Sequence, residues 1–258
     1  DLDRMEAMLA PVDEALLGLL NLDRPLRIAD IGSGGGTTAR RLHDLSPKGS
    51  KVHGHDISAE LVAAARERQG TAHLAFHLAN AETDPFDAGP FDLITSRFGV
   101  MFFSDPLKAF QNIANALVPG GQIAFAVWGK PQDNIWMTAA KSLLEDLITI
   151  EMPTPDAPGP FRYGDIDLLL GLLRDAGLST VASTDWTGTL AIGGGLSPAD
   201  ATAFWLQNMK DMTDRLNEAG DAIFQEGKAR LTRFYTDHLV DGVVRLPAHV
   251  HLVTAKRD

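Results

Sequence analysis

Apolar and polar positions follow two alternating periods along the first half of the chain. Segments in which apolar residues recur every three to four positions predict helices, and they lie at Thr37–Leu45, Ala59–Gln69 and Pro106–Ala116. Short apolar runs between them predict strands at Leu26–Ile31, Lys51–Asp56, Ala72–Leu78, Phe91–Thr95 and Gln122–Val127. This alternation is typical of a parallel sheet with crossover helices.

The second half departs from this rhythm. Helices are predicted at Asp1–Leu20, Asn134–Ile150, Asp165–Ala176, Ala199–Ala219 and Asp221–Leu239, strands at Leu178–Asp185 and Ala248–Lys256, and a proline-rich connector at 153–160. We therefore predict an α/β fold, a doubly wound, mostly parallel seven-stranded sheet whose last strand is antiparallel. Its predicted parts are a core with an N-terminal helix (1–192), a helical cap inserted over the substrate site (193–247) and the last core strand (248–258).

Composition narrows the classes of function. The 258 residues include 23 Lys+Arg and 34 Asp+Glu, a formal net charge of −11, and no basic run, which argues against a nucleic-acid partner. The absence of cysteine excludes disulfides and thiolate chemistry and is compatible with a reducing compartment, so we predict a cytoplasmic protein. The sequence predicts no membrane span. It begins at Asp1 without an initiator Met, and we expect residues upstream.

The stretch LRIADIGSGGGTTA, from Leu26 to Ala39, carries the clearest chemical signal. A strand ending in an acid, Asp30, breaks into a glycine-rich turn that leads into a helix. Glycines in such a turn adopt backbone angles closed to other residues and let a ligand approach bare main chain. The dinucleotide fingerprint would require glycine where Thr37 stands, so the pattern disfavours NAD.

A second acid, Asp56, ends the second strand in HGHDIS. A carboxylate there can accept both hydroxyls of a ribose, with Ile57 packing on an adenine ring. A helix-capping role with Ser58 is the alternative. The ribose interpretation does not by itself identify the cofactor, because NAD and other nucleotide-like cofactors carry an adenosine ribose.

Three motifs together resemble class I S-adenosylmethionine-dependent methyltransferases: the acid–x–Gly–x–Gly–x–Gly order, the run SRFGVMFF (96–103) and the turn LVPGG (117–121). The branch resembled is the small-molecule group near the ubiquinone and menaquinone methyltransferases, methyltransferase type 11. Where that family commonly has Asp, this chain has Asn80, whose carbonyl oxygen can still accept from an adenine amino group. The resemblance implies S-adenosylmethionine as cofactor, bound by Asp30, Gly32, Ser33, Gly34, Gly36, Thr37, Asp56, Ile57, Asn80, Ala81, Glu82, Ser96, Arg97 and Phe98.

The resemblance also implies methyl transfer to a quinone-like, phenolic or secondary-metabolite acceptor, mainly through alignment and exclusion of water. Candidate acceptor residues are Met101, Phe102, Trp128, Arg162 and Tyr163. We predict no metal site, and no histidine stands out as a catalytic base. Three alternatives stay open: a non-catalytic S-adenosylmethionine-binding protein, an NAD-dependent oxidoreductase and an RNA-modifying enzyme, which the net charge disfavours. A homodimer is compatible with the sequence.

Overall fold

The computed structural model describes residues 2–68, 70–150 and 157–258. Helices and strands alternate along the first half as the sequence predicts. In chain order the elements are α1 (Leu2–Leu17), β1 (Arg27–Ile31), α2 (Thr37–Leu45), β2 (Lys51–Asp56), α3 (Ala59–Glu67), β3 (Leu74–Leu78), β4 (Phe91–Arg97), α4 (Pro106–Asn115), β5 (Leu117–Trp128), α5 (Ile135–Leu144), α6 (Ile166–Asp175), β6 (Leu178–Ala191), α7 (Pro198–Asn208), α8 (Lys210–Glu218), α9 (Asp221–Asp237), β7 (Leu239–Val240) and β8 (Val243–Arg257).

The strands form one sheet in the order β3-β2-β1-β4-β5-β8-β6, and the two-residue β7 pairs with β8. Strands β1 to β5 pair in parallel, and β8 runs antiparallel to β5 with Trp128 opposite Val250. The predicted α/β class and the antiparallel last strand are confirmed. The described residues form eight strands where the sequence predicts seven, because the short β7 makes a hairpin with the start of β8.

Several element ends differ from the predicted ones. Strand β5 begins at Leu117, before the glycine pair, with an irregular register against β4. Strand β8 begins at Val243 and continues through Pro247, and proline is accepted in a strand where its nitrogen is not needed for pairing. The helix predicted over Ala199–Ala219 is two helices, because Met209 leaves the helical region (φ −101°, ψ 62°). Residues 153–156 of the proline-rich connector lie outside the described residues.

Local capping explains where several helices begin. Ser58 accepts a hydrogen bond from the Leu61 N–H at the start of α3, and Asp105 accepts one from the Lys108 N–H at the start of α4. Asp165 and Ser197 play the same part for α6 and α7. Such side chains satisfy N–H groups that have no partner inside the helix, and each contributes about 1 kcal/mol.

The chain divides into two compact units. One comprises Asp1–Pro11, Lys130–Thr154 and Thr187–His249, and it holds α5 and α7 to α9. The other comprises Val12–Gly129, Pro155–Trp186 and Val250–Asp258, and it holds β1 to β5. In the second unit, α2 and α3 pack on β1, β2 and β3 over a buried apolar cluster: Leu17, Leu26, Ile28, Ala39, Leu42, Val52, Val62, Ala65, Leu74, Phe76 and Leu93. No helix among the described residues has the length and apolar character needed to cross a membrane.

Candidate functional site

A cavity of about 400 Å³ opens at the carboxyl ends of the parallel strands β1 to β4. These four strands are neighbours in the sheet, so the loops that follow them meet at one edge. The cavity lies wholly within the second unit, and it is lined by Ile31, Gly32, Gly34, His55, Asp56, Ile57, Leu61, Ala79, Asn80, Ala81, Glu82, Arg97, Phe98, Gly99, Phe102 and Phe103. Nine of the fourteen predicted cofactor residues are among them.

The other five predicted cofactor residues do not line the cavity. Asp30 is only 1% exposed and Ser96 is fully buried. Ser33 is also buried, while Gly36 and Thr37 lie where the turn leads into α2. The predicted cofactor contacts of these five residues, through main chain or side chain, stay predictions.

The glycine turn has the backbone that its sequence predicts. Gly32, Gly34 and Gly36 all have positive φ (67°, 53° and 81°). The N–H groups of Gly32 and Ser33 both donate to the His55 carbonyl oxygen, at 2.8 and 3.1 Å, which anchors the turn to β2. The turn is therefore held in place by main-chain hydrogen bonds to β2.

Main chain also packs directly against main chain at the floor of the cavity. A Cβ added to Gly32 would lie 2.8 Å from the Gly99 Cα. One added to Gly99 would lie 2.7 Å from the Ile31 carbonyl oxygen and 2.9 Å from the Gly32 Cα. No side chain fits between the β1 and β4 loops. The sequence singled out Gly32 for its backbone freedom and for ligand approach, and it did not predict this contact. It gave no role to Gly99, whose only signal is its position in SRFG.

Asp56 lies at the end of β2 with both carboxylate oxygens held by main-chain donors. Oδ2 accepts from the Gly34 N–H at 2.8 Å, and Oδ1 accepts from the Ser58 N–H at 2.8 Å. Each oxygen keeps a second lone pair. The carboxylate is thus fixed in orientation at the cavity wall and can still accept hydrogen bonds from a bound molecule.

The loop after β3 is organised by hydrogen bonds of its own side chains. The Asn80 Oδ1 accepts from the Glu82 N–H at 3.0 Å. The Glu82 carboxylate accepts from the Ser104 N–H at 2.6 Å and the Asp105 N–H at 3.1 Å, two amides at the start of α4. In this conformation Glu82 joins the β3 and β4 loops, a contact that the sequence did not indicate. Direct cofactor contact by Asn80 or Glu82 stays a prediction.

Phe98 follows β4 in a conformation that is uncommon for a residue with a side chain, with φ of 66°. Its N–H donates to the Ala126 carbonyl oxygen at 2.9 Å, and its ring stacks on Trp128 with centroids 4.0 Å apart and planes within 5°. Strained backbone of this kind persists only where the surroundings hold it, and it is frequent at ligand sites. The stack presents a flat apolar surface to the cavity through Phe98.

The predicted acceptor residues do not share one environment. Met101, Trp128 and Tyr163 are 1%, 3% and 0% exposed, so their side chains belong to the packed interior, and burial raises the pKa of Tyr163 to about 12. Phe102 is 54% exposed at the cavity. Arg162 donates to the Phe103 carbonyl oxygen. Of the five, Phe102 alone lines the cavity that the described residues form.

Three histidines stack beneath this end of the sheet. The rings of His53 and His77 lie 5.3 Å apart and those of His55 and His77 lie 4.9 Å apart. Burial, with the neighbouring imidazoles, lowers the pKa of His53 to about 4 and that of His55 to about 3. His55 therefore lines the cavity as a neutral, weakly basic imidazole. The pattern His-x-His on β2 was visible in the sequence, but its partner on β3 was not.

Comparison with known proteins agrees with this arrangement. Residues 29–125, which run from β1 to β5, match the family described as a methyltransferase domain. The matched segment contains every residue that lines the cavity. The methyltransferase class predicted from the sequence is confirmed.

The individual proteins that resemble this chain have low sequence identity to it. The chain is 30% identical over 174 residues to an uncharacterized protein of Mycobacterium tuberculosis, covering 66% of this chain and 60% of the relative's length. It is 29% identical over 176 residues to the ubiquinone/menaquinone biosynthesis C-methyltransferase of Shewanella sediminis, covering 63% of this chain and 70% of that protein. The fold resembles a Haemonchus contortus phosphoethanolamine N-methyltransferase bound to phosphomonomethylethanolamine and S-adenosylhomocysteine (TM-score 0.56, 17% identity, 98% of this chain and 56% of that one).

Proposed function

We propose that this protein transfers the methyl group of S-adenosylmethionine to a small-molecule acceptor. The observation that carries the proposal is the cavity across the ends of β1 to β4, with bare main chain at Gly32 and Gly99 and an oriented carboxylate at Asp56. A volume of about 400 Å³ is within the range of small-molecule sites. The match to methyltransferase domains supports the reading.

The order of the strands suggests how the cofactor lies. Asp56, on β2, accepts from the two ribose hydroxyls, and Ile57, which is 71% exposed, covers one face of the adenine. The loop after β3, with Asn80 and Ala81, then faces the adenine edge. Because β1 and β4 lie on the side of β2 opposite to β3, the methionine portion extends towards Gly32 and Arg97. This placement follows the resemblance and is part of the proposal.

The residues near the methyl end favour a planar, apolar acceptor. Phe98, Phe102 and Phe103 line that part of the cavity, and Phe98 is held flat by its stack on Trp128. A quinone-like, phenolic or secondary-metabolite ring would pack on such a surface. A net charge of −11 disfavours RNA as the acceptor.

Methyl transfer from a sulfonium is an in-line displacement with a good leaving group. The cofactor supplies an electrophilic methyl, and the chain's own residues hold the two reactants in line and exclude water, which lowers the barrier by roughly 7–11 kcal/mol in well-aligned reactions. His55 is a poor candidate for a general base because its pKa is lowered to about 3. An acceptor atom that has already lost its proton before binding suits this site, because the transfer step then needs no base.

Titration calorimetry tests the cofactor, with S-adenosylhomocysteine and NAD as the two ligands. Binding of the first and no binding of the second supports the proposal, and the reverse result overturns it in favour of an oxidoreductase. Transfer of labelled methyl to a panel of quinones, phenols and polar amines then tests catalysis. Cofactor binding without incorporation into any acceptor would favour the non-catalytic binding protein.

A further inference from the structure

A carboxylate on the N-terminal helix is buried beside the glycine turn. The side chain of Asp13, on α1, is 1% exposed. Its Oδ1 accepts from the Thr38 hydroxyl at 2.6 Å, and its Oδ2 accepts from the Arg41 guanidinium at 2.7 Å. The Nε of Arg97 lies 3.6 Å from Oδ1. Removing a carboxylate from water is costly unless charged partners compensate for it, and here two guanidiniums do so.

The partners of Asp13 belong to different parts of the cofactor site. Thr38 and Arg41 lie on α2, the helix into which the glycine turn leads. Arg97 ends β4, lines the cavity and has a side chain only 9% exposed. The side chain of Asp13 therefore connects α2, which follows the glycine turn, to the Arg97 guanidinium at the cavity wall.

Arg97 is the one Lys or Arg among the described residues that line the cavity. It ends β4, which lies on the opposite side of β1 from Asp56 on β2. If Asp56 binds the ribose, Arg97 is at the far end, where the methionine carboxylate of the cofactor lies. A guanidinium binds a carboxylate in a specific geometry, and setting its orientation in advance lowers the cost of binding.

We infer that Asp13 is a positioning residue for the amino-acid end of the cofactor, acting through Arg97 and Thr38. The inference rests on the proposed function. The ion pair fixes the Arg97 guanidinium, and the hydrogen bond with Thr38 fixes the first turn of α2 after the glycines. Asp13 does not line the cavity, and its effect on binding is indirect.

Two ligands distinguish positioning from a general structural role. S-adenosylhomocysteine carries the amino-acid portion, and 5′-methylthioadenosine carries the same adenosine and sulfur without it. For Asp13→Asn, we expect the dissociation constant for S-adenosylhomocysteine to rise about tenfold, as for loss of one charged hydrogen-bond pair. We expect that for methylthioadenosine to stay within about twofold of the unchanged protein. A purely structural carboxylate would weaken both ligands alike.

The chain offers a matched control next to Asp13. Glu14 is on the same helix, 71% exposed and 4.0 Å from Arg41, so Glu14→Gln removes one negative charge near the network while leaving every contact of Asp13 in place. We expect it to leave both dissociation constants unchanged. If Asp13→Asn fails to fold, Thr38→Val tests the same network by deleting one donor to the carboxylate, with a smaller but equally selective effect expected.

The outcomes separate the two proposals. Failure of the unchanged protein to bind S-adenosylhomocysteine refutes the proposed function. Normal binding by the unchanged protein, with Asp13→Asn and Thr38→Val either unaffected or weakened equally for both ligands, refutes the positioning role alone. A selective loss confined to S-adenosylhomocysteine supports it.

Discussion

Replacing Gly99 by alanine tests whether contact between bare main chains shapes the site. The alanine Cβ would lie 2.7 Å from the Ile31 carbonyl oxygen, whereas ordinary contact begins at 3.4 Å. The two loops must therefore separate by about 0.7 Å, the difference between these distances. Gly99 has φ of −75°, an angle that alanine adopts freely, so the whole effect is steric.

The expected cost is that of overpacking a tightly packed position, about 1–3 kcal/mol of stability. For a chain of this size that corresponds to a melting temperature lower by roughly 2–12 °C. A displacement approaching 1 Å at the reacting end of a site can cost a factor of about 100 in rate. We therefore expect a loss of methyl transfer larger than the loss of stability alone would cause at the assay temperature.

Gly171 provides the matched control, because it lies inside α6 and an added Cβ would meet no atom within 4 Å. Gly171→Ala should raise stability by roughly 0.5–1 kcal/mol through higher helix propensity, with the dissociation constant for S-adenosylhomocysteine unchanged. Differential scanning calorimetry and ligand titration measure both quantities. If Gly99→Ala melts and binds like the unchanged protein, the close approach of the two loops is not what shapes the site.

Three further predictions concern the carboxylates and the histidine stack. Asp56→Ala should weaken the binding of S-adenosylhomocysteine at least about tenfold, measured by calorimetry. An unchanged dissociation constant would place the ribose elsewhere. Glu82→Gln should lower the free energy of unfolding by about 1–2 kcal/mol, because a neutral amide replaces a carboxylate that holds two N–H groups of the α4 start; equal urea midpoints would contradict this. Below the ordinary histidine pKa of 6.5, His53 and His55 are protonated in the unfolded chain. In the folded protein they stay neutral until the pH falls to about 4 for His53 and about 3 for His55. The full free energy of unfolding is therefore present above pH 6.5, and it falls as the pH decreases. His53→Phe should reduce this loss of stability between about pH 7 and about pH 5, measured by urea titration. If stability falls with pH equally steeply in both proteins, the role of the stack is refuted.

The order of elements and the position of the site could be read from the sequence. The run from β1 through the glycine turn to α2 is a local pattern, and Lys51–Asp56 is a strand with the predicted ends. Because parallel neighbours present their carboxyl ends at one edge, Gly32 and Asp56 had to lie together once the sheet was parallel. These inferences depend on short-range periodicity, which the sequence shows directly.

Contacts between residues that are distant in sequence could not be predicted in this way. The Glu82 carboxylate accepts hydrogen bonds from amides 22 and 23 residues later, a contact that the sequence could not indicate. Trp128 and Met101, two candidate acceptor residues, are buried, and for Trp128 the core was the alternative that the sequence left open. An apolar residue at a strand end fits a pocket wall and a core equally well by pattern, and only packing distinguishes the two.

The sequence by itself determined the class of fold, the glycine turn and the two strand-end acids, since each follows from periodicity, backbone freedom and the geometry of parallel strands. The tertiary structure decided which distant residues meet: Asp13 with Arg97, Phe98 with Trp128, and the main chain of Gly99 with that of Gly32. Those pairings depend on how helices and loops pack around the sheet, and that packing is a property of the whole unit rather than of any local segment.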